Sequence, residues 1–243
     1  MRKIWPVWLI ILLLAAGCSI GGSDGPSESG GSGSNTVIDW VDFVKVGGNQ
    51  YESLYSLAVA DPKHVTDEVI GKVEFTVSGN ISDPGYRIKD GDAAFLPVGT
   101  PLYAIEGLDP ERFAAAEDDS MIHGYKVYFN RENEEGRTWH YRDLDQDAVV
   151  AVEVYTGYTA PEKLAEFSGE SVKDILMLLN ESKQDSSYMP STAEGDPAEF
   201  RLIFYDGSRL AQVHRIYRDD LHYYWSPWDT NIIDDAIGAY LEK

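Results

Sequence analysis

Residues 200–217 read FRLIFYDGSRLAQVHRIY and carry the clearest structural signal in the chain. Runs rich in β-branched and aromatic residues lie on both sides of Asp206-Gly207. Because Asp-Gly adopts the positive φ angles of a type I′ turn, this stretch predicts an antiparallel β-hairpin. Ser208 and Arg209 can join the turn and make it longer than the two-residue form.

The chain upstream of this hairpin contains short apolar runs separated by turns rich in Gly, Pro and Asp. In residues 69–77, VIGKVEFTV, apolar and polar side chains alternate, which is typical of a half-buried strand. Further strands are predicted at residues 37–46, 51–59, 93–96, 101–105, 125–129, 149–155 and 221–225. Short strands of this kind predict a small antiparallel barrel or sandwich.

The last third of the chain also shows helical periodicity. A helix is predicted at residues 172–180, with Ser171 as its N-cap and with an apolar face formed by Val172, Ile175, Leu176 and Leu179. A closing helix is predicted from Asp229 or Thr230 onward, with a buried face formed by Ile233, Ile237 and Leu241. The fold class is therefore α+β, with a β-rich barrel- or sandwich-like unit at residues 37–157 and a small α+β unit with a closing helix at 158–243.

Composition excludes some function classes. The 243 residues include 20 Lys and Arg against 41 Asp and Glu, which gives a formal net charge of -21. Nucleic acid is therefore excluded as a partner, because phosphate binding needs clustered cations. The single cysteine excludes an internal disulfide and a cysteine-rich metal site.

The N-terminal residues have the organisation of a secretory signal peptide. Arg2 and Lys3 precede an apolar segment at residues 4–14, which is too short to cross roughly 30 Å of hydrocarbon as a helix. The sequence LAAGC at residues 14–18 resembles the lipobox of bacterial lipoproteins, with Ala where the family often has Leu three residues before the cysteine. The resemblance implies that residues 1–17 are removed and that Cys18 is lipidated. A cleaved signal with an incidental cysteine, and an uncleaved anchor, are the alternatives.

Residues 18–36 follow as a lipidated cysteine and a tether rich in Gly and Ser. The tether has almost nothing apolar to bury, so it is predicted to stay disordered. An anionic leaflet repels the acidic body, and membrane contact is predicted through the lipid anchor alone. The predicted location is the extracytoplasmic face of the cell membrane.

Residues 83–101, DPGYRIKDGDAAFLPVGTP, resemble a segment of uncharacterised surface lipoproteins from Bacillus-like bacteria. The likeness extends loosely over residues 40–107. It implies a Gram-positive cell surface and assigns no activity and no functional residue.

The loop that begins Asp143-Leu144-Asp145-Gln146-Asp147 has carboxylates at the spacing that opens an EF-hand calcium loop. The sixth position is Ala148 where the turn needs Gly, and the twelfth is Val154 where a bidentate Glu is needed. A solvated turn is therefore the preferred interpretation, and no metal or cofactor is predicted.

Catalytic motifs are absent from the sequence. It has no HExxH pair, no GxGxxG and no P-loop, and its Gly-x-Ser-x-Gly string at residues 21–25 falls in the predicted Gly/Ser tether rather than between a strand and a helix. No catalytic residue is therefore predicted, although a triad assembled only in three dimensions stays open.

An aromatic cluster is the remaining candidate binding feature, and it comprises Tyr223, Tyr224, Trp225 and Trp228. Exposed rings offer flat apolar faces to sugars or peptides, whereas strand alternation buries either Tyr223 and Trp225 or Tyr224. Core packing is the favoured interpretation and a ligand platform is the alternative. Trp139 and Tyr141, which flank His140, are read in the same way.

Two functions from different classes follow. The leading hypothesis is a non-enzymatic lipoprotein that binds an envelope protein or a cell-wall ligand, or serves as an accessory envelope factor. The alternative is an extracytoplasmic hydrolase or cell-wall enzyme with a spatially assembled site. A deep pocket that joins His140 or His222 to two carboxylates favours the enzyme, and a shallow aromatic groove favours binding.

Overall fold

The computed structural model describes residues 38–133, 139–157 and 160–242, which form a β-rich α+β fold. Cys18, the predicted signal peptide and the predicted tether lie outside these residues. No helix in the described part of the chain is long and apolar enough to cross a membrane.

Short strands make up most of the regular structure. In chain order they are β1 (Phe43–Val46), β2 (Asn49–Ser53), β3 (Leu57–Val59), β4 (Val65–Lys72), β5 (Phe75–Thr76), β6 (Asp92–Ala93), β7 (Pro101–Ile105), β8 (Phe113–Glu117), β9 (Tyr125–Phe129), β10 (Ala151–Thr156), β11 (Glu162–Ser168), β12 (Lys183–Gln184), β13 (Ala198–Tyr205), β14 (Leu210–Arg218), β15 (Tyr223–Trp225) and β16 (Asn231–Ile233). The α-helices are α1 (Glu170–Asn180) and α2 (Gly238–Leu241).

The strands form two sheets. The first has the order β4-β7-β8-β9-β2-β1-β6-β5, and its pairs are antiparallel except for β5 with β6. The second has the order β11-β10-β13-β14-β15-β16-β12. The early strand β3 also pairs with β14, beside the residues Leu210, Ala211 and Gln212.

The hairpin predicted at residues 200–217 is confirmed as β13 and β14, but its predicted type I′ turn is wrong, because Gly207 has a positive φ angle and Asp206 does not. The pair nearest the turn is Phe204↔Gln212, so the turn includes Ser208 and is longer than two residues. Gly207 has φ 83°, and the Asp206 carboxylate accepts a hydrogen bond from the Ser208 amide at 2.9 Å. The Asp-Gly dipeptide therefore supplies both the backbone freedom and the local hydrogen bond of the turn.

The two sheets do not divide the chain at the predicted boundary between residues 157 and 158. β10 ends before that point and belongs to the second sheet, where it pairs with both β11 and β13. β3, from the N-terminal part of the chain, pairs with the first residues of β14, whereas β15 pairs with its last residues. The described residues accordingly cluster as one compact unit, because backbone hydrogen bonds join the two predicted halves.

Helix α1 packs on the second sheet through the face predicted for it, formed by Val172, Ile175, Leu176 and Leu179. The prediction of Ser171 as its N-cap is wrong. The helix begins at Glu170, and Gly169 occupies the cap position with φ 62° and no side-chain hydrogen bond. A positive φ angle is accessible to glycine at little cost, so the chain turns at Gly169 and the helix begins at the next residue.

The closing helix predicted from Asp229 or Thr230 is wrong in its first half. Residues 231–233 form β16, which lies between β15 and β12, because two consecutive β-branched isoleucines favour an extended strand. Asp234 then caps a 3₁₀ turn by accepting from the Ala236 amide at 2.9 Å, and only α2 is α-helical. The predicted apolar residues Ile233, Ile237 and Leu241 are all buried in the core.

Candidate functional site

Tyr223 and Trp225, from the predicted aromatic cluster, are core residues. Both are buried on β15. The Trp225 Nε1 donates to the Ser182 hydroxyl at 3.1 Å, and its ring lies 4.7 Å from the ring of Tyr141. Burial and then the hydrogen bond to Glu242 raise the pKa of Tyr223 to about 12. These two rings therefore offer no surface to a ligand.

Tyr224 lies on the opposite face of β15 and is half-exposed. Its ring stacks on Tyr217 at 5.5 Å and contacts Tyr188 at 5.4 Å. Burial by these neighbours raises the pKa of the Tyr224 hydroxyl. The ring is thus part of a row of tyrosines, away from the other members of the predicted cluster in the core.

Trp228 is 70% exposed and has partners that the sequence did not connect to it. The Arg142 guanidinium lies 4.4 Å from its ring centroid, within the range of a cation–π contact. The His140 ring packs edge-on at 5.4 Å. Of the four predicted site residues, only Tyr224 and Trp228 therefore present ring surface. Tyr224 lies among other tyrosines, whereas Trp228 lies against Arg142 and His140.

A cleft of about 290 Å³ lies where β3 and β14 meet the segment that begins at Trp139. Its lining combines apolar and polar side chains from regions far apart in the sequence. The apolar lining residues are Leu57, Leu108, Phe113, Trp139 and Leu210. The polar lining residues are Asp143, Asp145, Asp206, Ser208, Arg209 and Gln212.

Packing from the first sheet fixes the aromatic wall of the cleft. The Trp139 ring contacts Phe129 at 5.0 Å and Phe113 at 6.3 Å, both edge-on. Leu57 lies opposite Gln212 in the β3–β14 register, which places both of these lining residues on paired strands. A wall held by two sheets is preorganised, and a ligand that binds to it has little ordering cost to overcome.

The rim of the cleft is acidic. Asp206 is positioned by its own hairpin turn, and Asp143 accepts from the His140 amide at 3.4 Å. Arg209 also lies at the rim, where its Nη2 pairs with the Glu106 carboxylate at 3.0 Å. The carboxylates can accept hydrogen bonds from hydroxyl or ammonium groups of a ligand.

The three carboxylates of the Asp143 loop lie on two successive turns. The loop folds into two 3₁₀ turns, Tyr141–Asp143 and Gln146–Ala148. Asp145 lines the cleft, whereas Asp147 lines a separate groove of about 710 Å³ beside α1. Within the described ranges, no group of three or more His, Cys, Asp or Glu residues could hold a metal ion.

A second polar cluster, which the sequence analysis missed, is centred on Glu153 of β10. Its Oε2 accepts from the hydroxyls of Tyr205 at 2.6 Å and Tyr155 at 3.0 Å, and its Oε1 lies 2.5 Å from Lys163 Nζ. His123 Nε2 lies 3.5 Å from the same Oε2. Burial favours a raised pKa for Glu153, but these donors outweigh it and hold that pKa well below its ordinary value.

Comparison with known protein families, curated proteins and solved structures finds no match for this chain. The chemistry of its own surfaces is therefore the basis for a proposed function.

Proposed function

We propose that this chain is a lipid-anchored extracytoplasmic binding protein without catalytic activity, and that its ligand occupies the cleft lined by Trp139. The observation that carries the proposal is the combination of an aromatic wall and an acidic rim in one preformed cleft. Ligand sites typically pair apolar lining with a few polar groups that fix orientation.

The chemistry of the cleft favours a cell-wall saccharide or muropeptide as the ligand. The apolar face of a sugar ring can pack on an aromatic side chain such as Trp139. Asp143, Asp145 and Asp206 can then accept hydrogen bonds from sugar hydroxyls or from a peptide ammonium group. The acidic rim disfavours a strongly anionic ligand.

The lining residues favour binding over the hydrolase alternative. Among the described residues of the cleft there is no histidine, and the hydroxyl of Ser208, its one serine, donates to the Leu210 carbonyl at 2.6 Å. The serine–histidine pair of a serine hydrolase is therefore missing from this lining.

The location of the protein is part of the same proposal. The LAAGC sequence at residues 14–18 supports lipidation of Cys18, and residues 19–36 supply a tether between the anchor and the folded body. The barrel- or sandwich-like form expected for the β-rich N-terminal part is likewise proposed, with support from the eight-stranded order of the first sheet, whose strands fall within residues 43–129. Metabolic labelling with a clickable palmitate analogue should mark the wild type and spare Cys18→Ala, and equal labelling would contradict the anchor.

Cosedimentation with purified peptidoglycan tests the binding function. The full-length wild-type chain should sediment with the insoluble polymer, and Trp139→Ala should remain largely in the supernatant. Trp228→Ala is the matched aromatic control, because it removes an exposed indole outside the cleft lining, and it should sediment as the wild type does. Failure of the wild type to sediment would overturn the cell-wall ligand and point to an envelope protein, whereas loss only in Trp228→Ala would move the site to that surface.

A further inference from the structure

His123 has a backbone conformation that side chains other than glycine rarely adopt. It lies in the turn between β8 and β9 of the first sheet and has φ 60°, the only positive φ of a non-glycine residue in the part of the chain that the structure describes. Such a conformation costs energy and persists where surrounding contacts determine it. The contacts of the His123 side chain supply a reason for it.

The imidazole ring of His123 bridges from the first sheet to the second. Its Nδ1 lies 2.7 Å from the Val59 carbonyl oxygen on β3, and its Nε2 lies 3.5 Å from Glu153 Oε2 on β10. Both strands belong to the second sheet. The neighbouring Ile122 is buried in a cluster with residues of the second sheet, so the turn docks through an apolar and a polar side chain.

Nδ1 of His123 faces a carbonyl, which can only accept, and Nε2 faces the Glu153 carboxylate beside two tyrosine hydroxyls whose protons that carboxylate already accepts. A backbone carbonyl has no proton to donate, and an ionised carboxylate has none either. Neutral imidazole carries a single N–H and can satisfy one of them, whereas imidazolium donates to both. The Tyr155 and Tyr205 hydroxyls, which lie 3.4 and 3.5 Å from Nε2, already donate to Glu153.

We propose that protonated His123 is a pH-sensitive latch that joins the two sheets by holding the Val59 carbonyl and the Glu153 carboxylate at once. The other charged groups nearby are Lys163, which pairs with Glu153 and with Glu166, and Asp61, which shares a cavity of about 340 Å³ with His123. The carboxylates favour the imidazolium form, and the Lys163 ammonium opposes it.

The sign of the pH dependence follows from the two partners. The hydrogen bond to Glu153 raises the pKa of His123 above its ordinary 6.5, in spite of burial. The stabilisation by the latch is therefore complete below about pH 6.5 and is lost as the pH rises through the raised pKa. The pKa of Glu153 is lowered from its ordinary 4.5, so its contribution is complete above that pH and is lost only in strong acid.

Urea unfolding of the full-length chain at about pH 6 and about pH 9 tests the latch. His123→Asn removes the titrating ring and keeps a residue that tolerates positive φ. The matched control is His222→Asn, which alters an exposed histidine. Wild type and His222→Asn should both lose stability at the higher pH. Between the two pH values, their unfolding equilibrium constants should rise roughly tenfold more than that of His123→Asn, as expected for one charge-assisted hydrogen bond.

The same pH dependence in His123→Asn and the wild type would overturn the proposal. NMR titration of the histidine rings in the wild type is a second readout, and it remains decisive if His123→Asn fails to fold. The ring of His123 should titrate above the ordinary histidine value and should move to lower pH in Glu153→Gln. Titration of His123 at or below its ordinary value would refute the latch.

Discussion

Truncation of Ile237 tests how the C-terminal segment is held. The side chain is 0% exposed and lies in the core cluster shared by α1 and the second sheet. Ile237→Ala removes roughly three methylene-sized groups, which costs about 2 kcal/mol of transfer free energy. The cavity left between a helix and a sheet adds to this cost, so the free energy of unfolding should fall by about 3 kcal/mol. For a domain of this size the melting temperature should fall by roughly 6–12 °C.

Thermal and urea unfolding of the full-length chain, followed by circular dichroism, measures this loss. Val98→Ala is the control, because Val98 is 64% exposed and its truncation should change stability by less than about 0.5 kcal/mol. If Ile237→Ala unfolds at the wild-type midpoint, the residue is not docked and the packing described for the C-terminal segment is wrong.

Two further predictions concern acidic residues. Asp219→Asn should lower the free energy of unfolding by about 1–3 kcal/mol in urea, because the buried carboxylate accepts from the Tyr188 hydroxyl and from the amides of Ser191, Leu221 and His222. Burial opposes the charge, but these donors lower the pKa of Asp219 below its ordinary 3.8. The extra stability of the wild type over Asp219→Asn should therefore be complete above about pH 4 and shrink in stronger acid. An equal loss of stability in acid in both proteins would contradict this. Millimolar calcium should raise the melting temperature no more than magnesium does, because Asp145 and Asp147 face different cavities, and a calcium-specific rise abolished by Asp145→Ala would disprove it.

Local sequence patterns predicted the elements whose signals are themselves local. The Asp206-Gly207 turn and its flanking alternation gave the β13–β14 hairpin, and the apolar runs at residues 101–105 and 125–129 coincide with β7 and β9. β8 and β11 were missed. The alanine-rich FAAAE of β8 and the polar EKLAEFS of β11 have weak strand signals, and both become strands through their neighbours in the sheet.

The prediction of the closing helix was wrong in its first half for the same reason. Ile232 and Ile233 fit a helical period as well as an extended strand, and pairing with β15 decides between them. Residues 51–59, predicted as one strand, form β2 and β3, which pair in different sheets. No local pattern specifies such a split.

The candidate sites depend on contacts that are distant in the sequence. Trp139 and the Asp143 loop were each noted, but the cleft exists only because β3 pairs with β14 across about 150 residues. The same is true of Glu153, whose partners Tyr205 and His123 lie 52 and 30 residues away in sequence. Single-sequence reasoning could identify these side chains only as isolated polar or aromatic residues.

Isothermal titration of the full-length chain with soluble muropeptides from digested peptidoglycan tests the proposed function most directly. Wild type should bind, and Trp139→Ala should weaken the affinity by at least roughly tenfold, as expected when a central aromatic contact is lost. Trp228→Ala should keep the wild-type affinity. Equal affinities for wild type and Trp139→Ala, or no heat of binding in the wild type, would contradict a cell-wall ligand in the cleft.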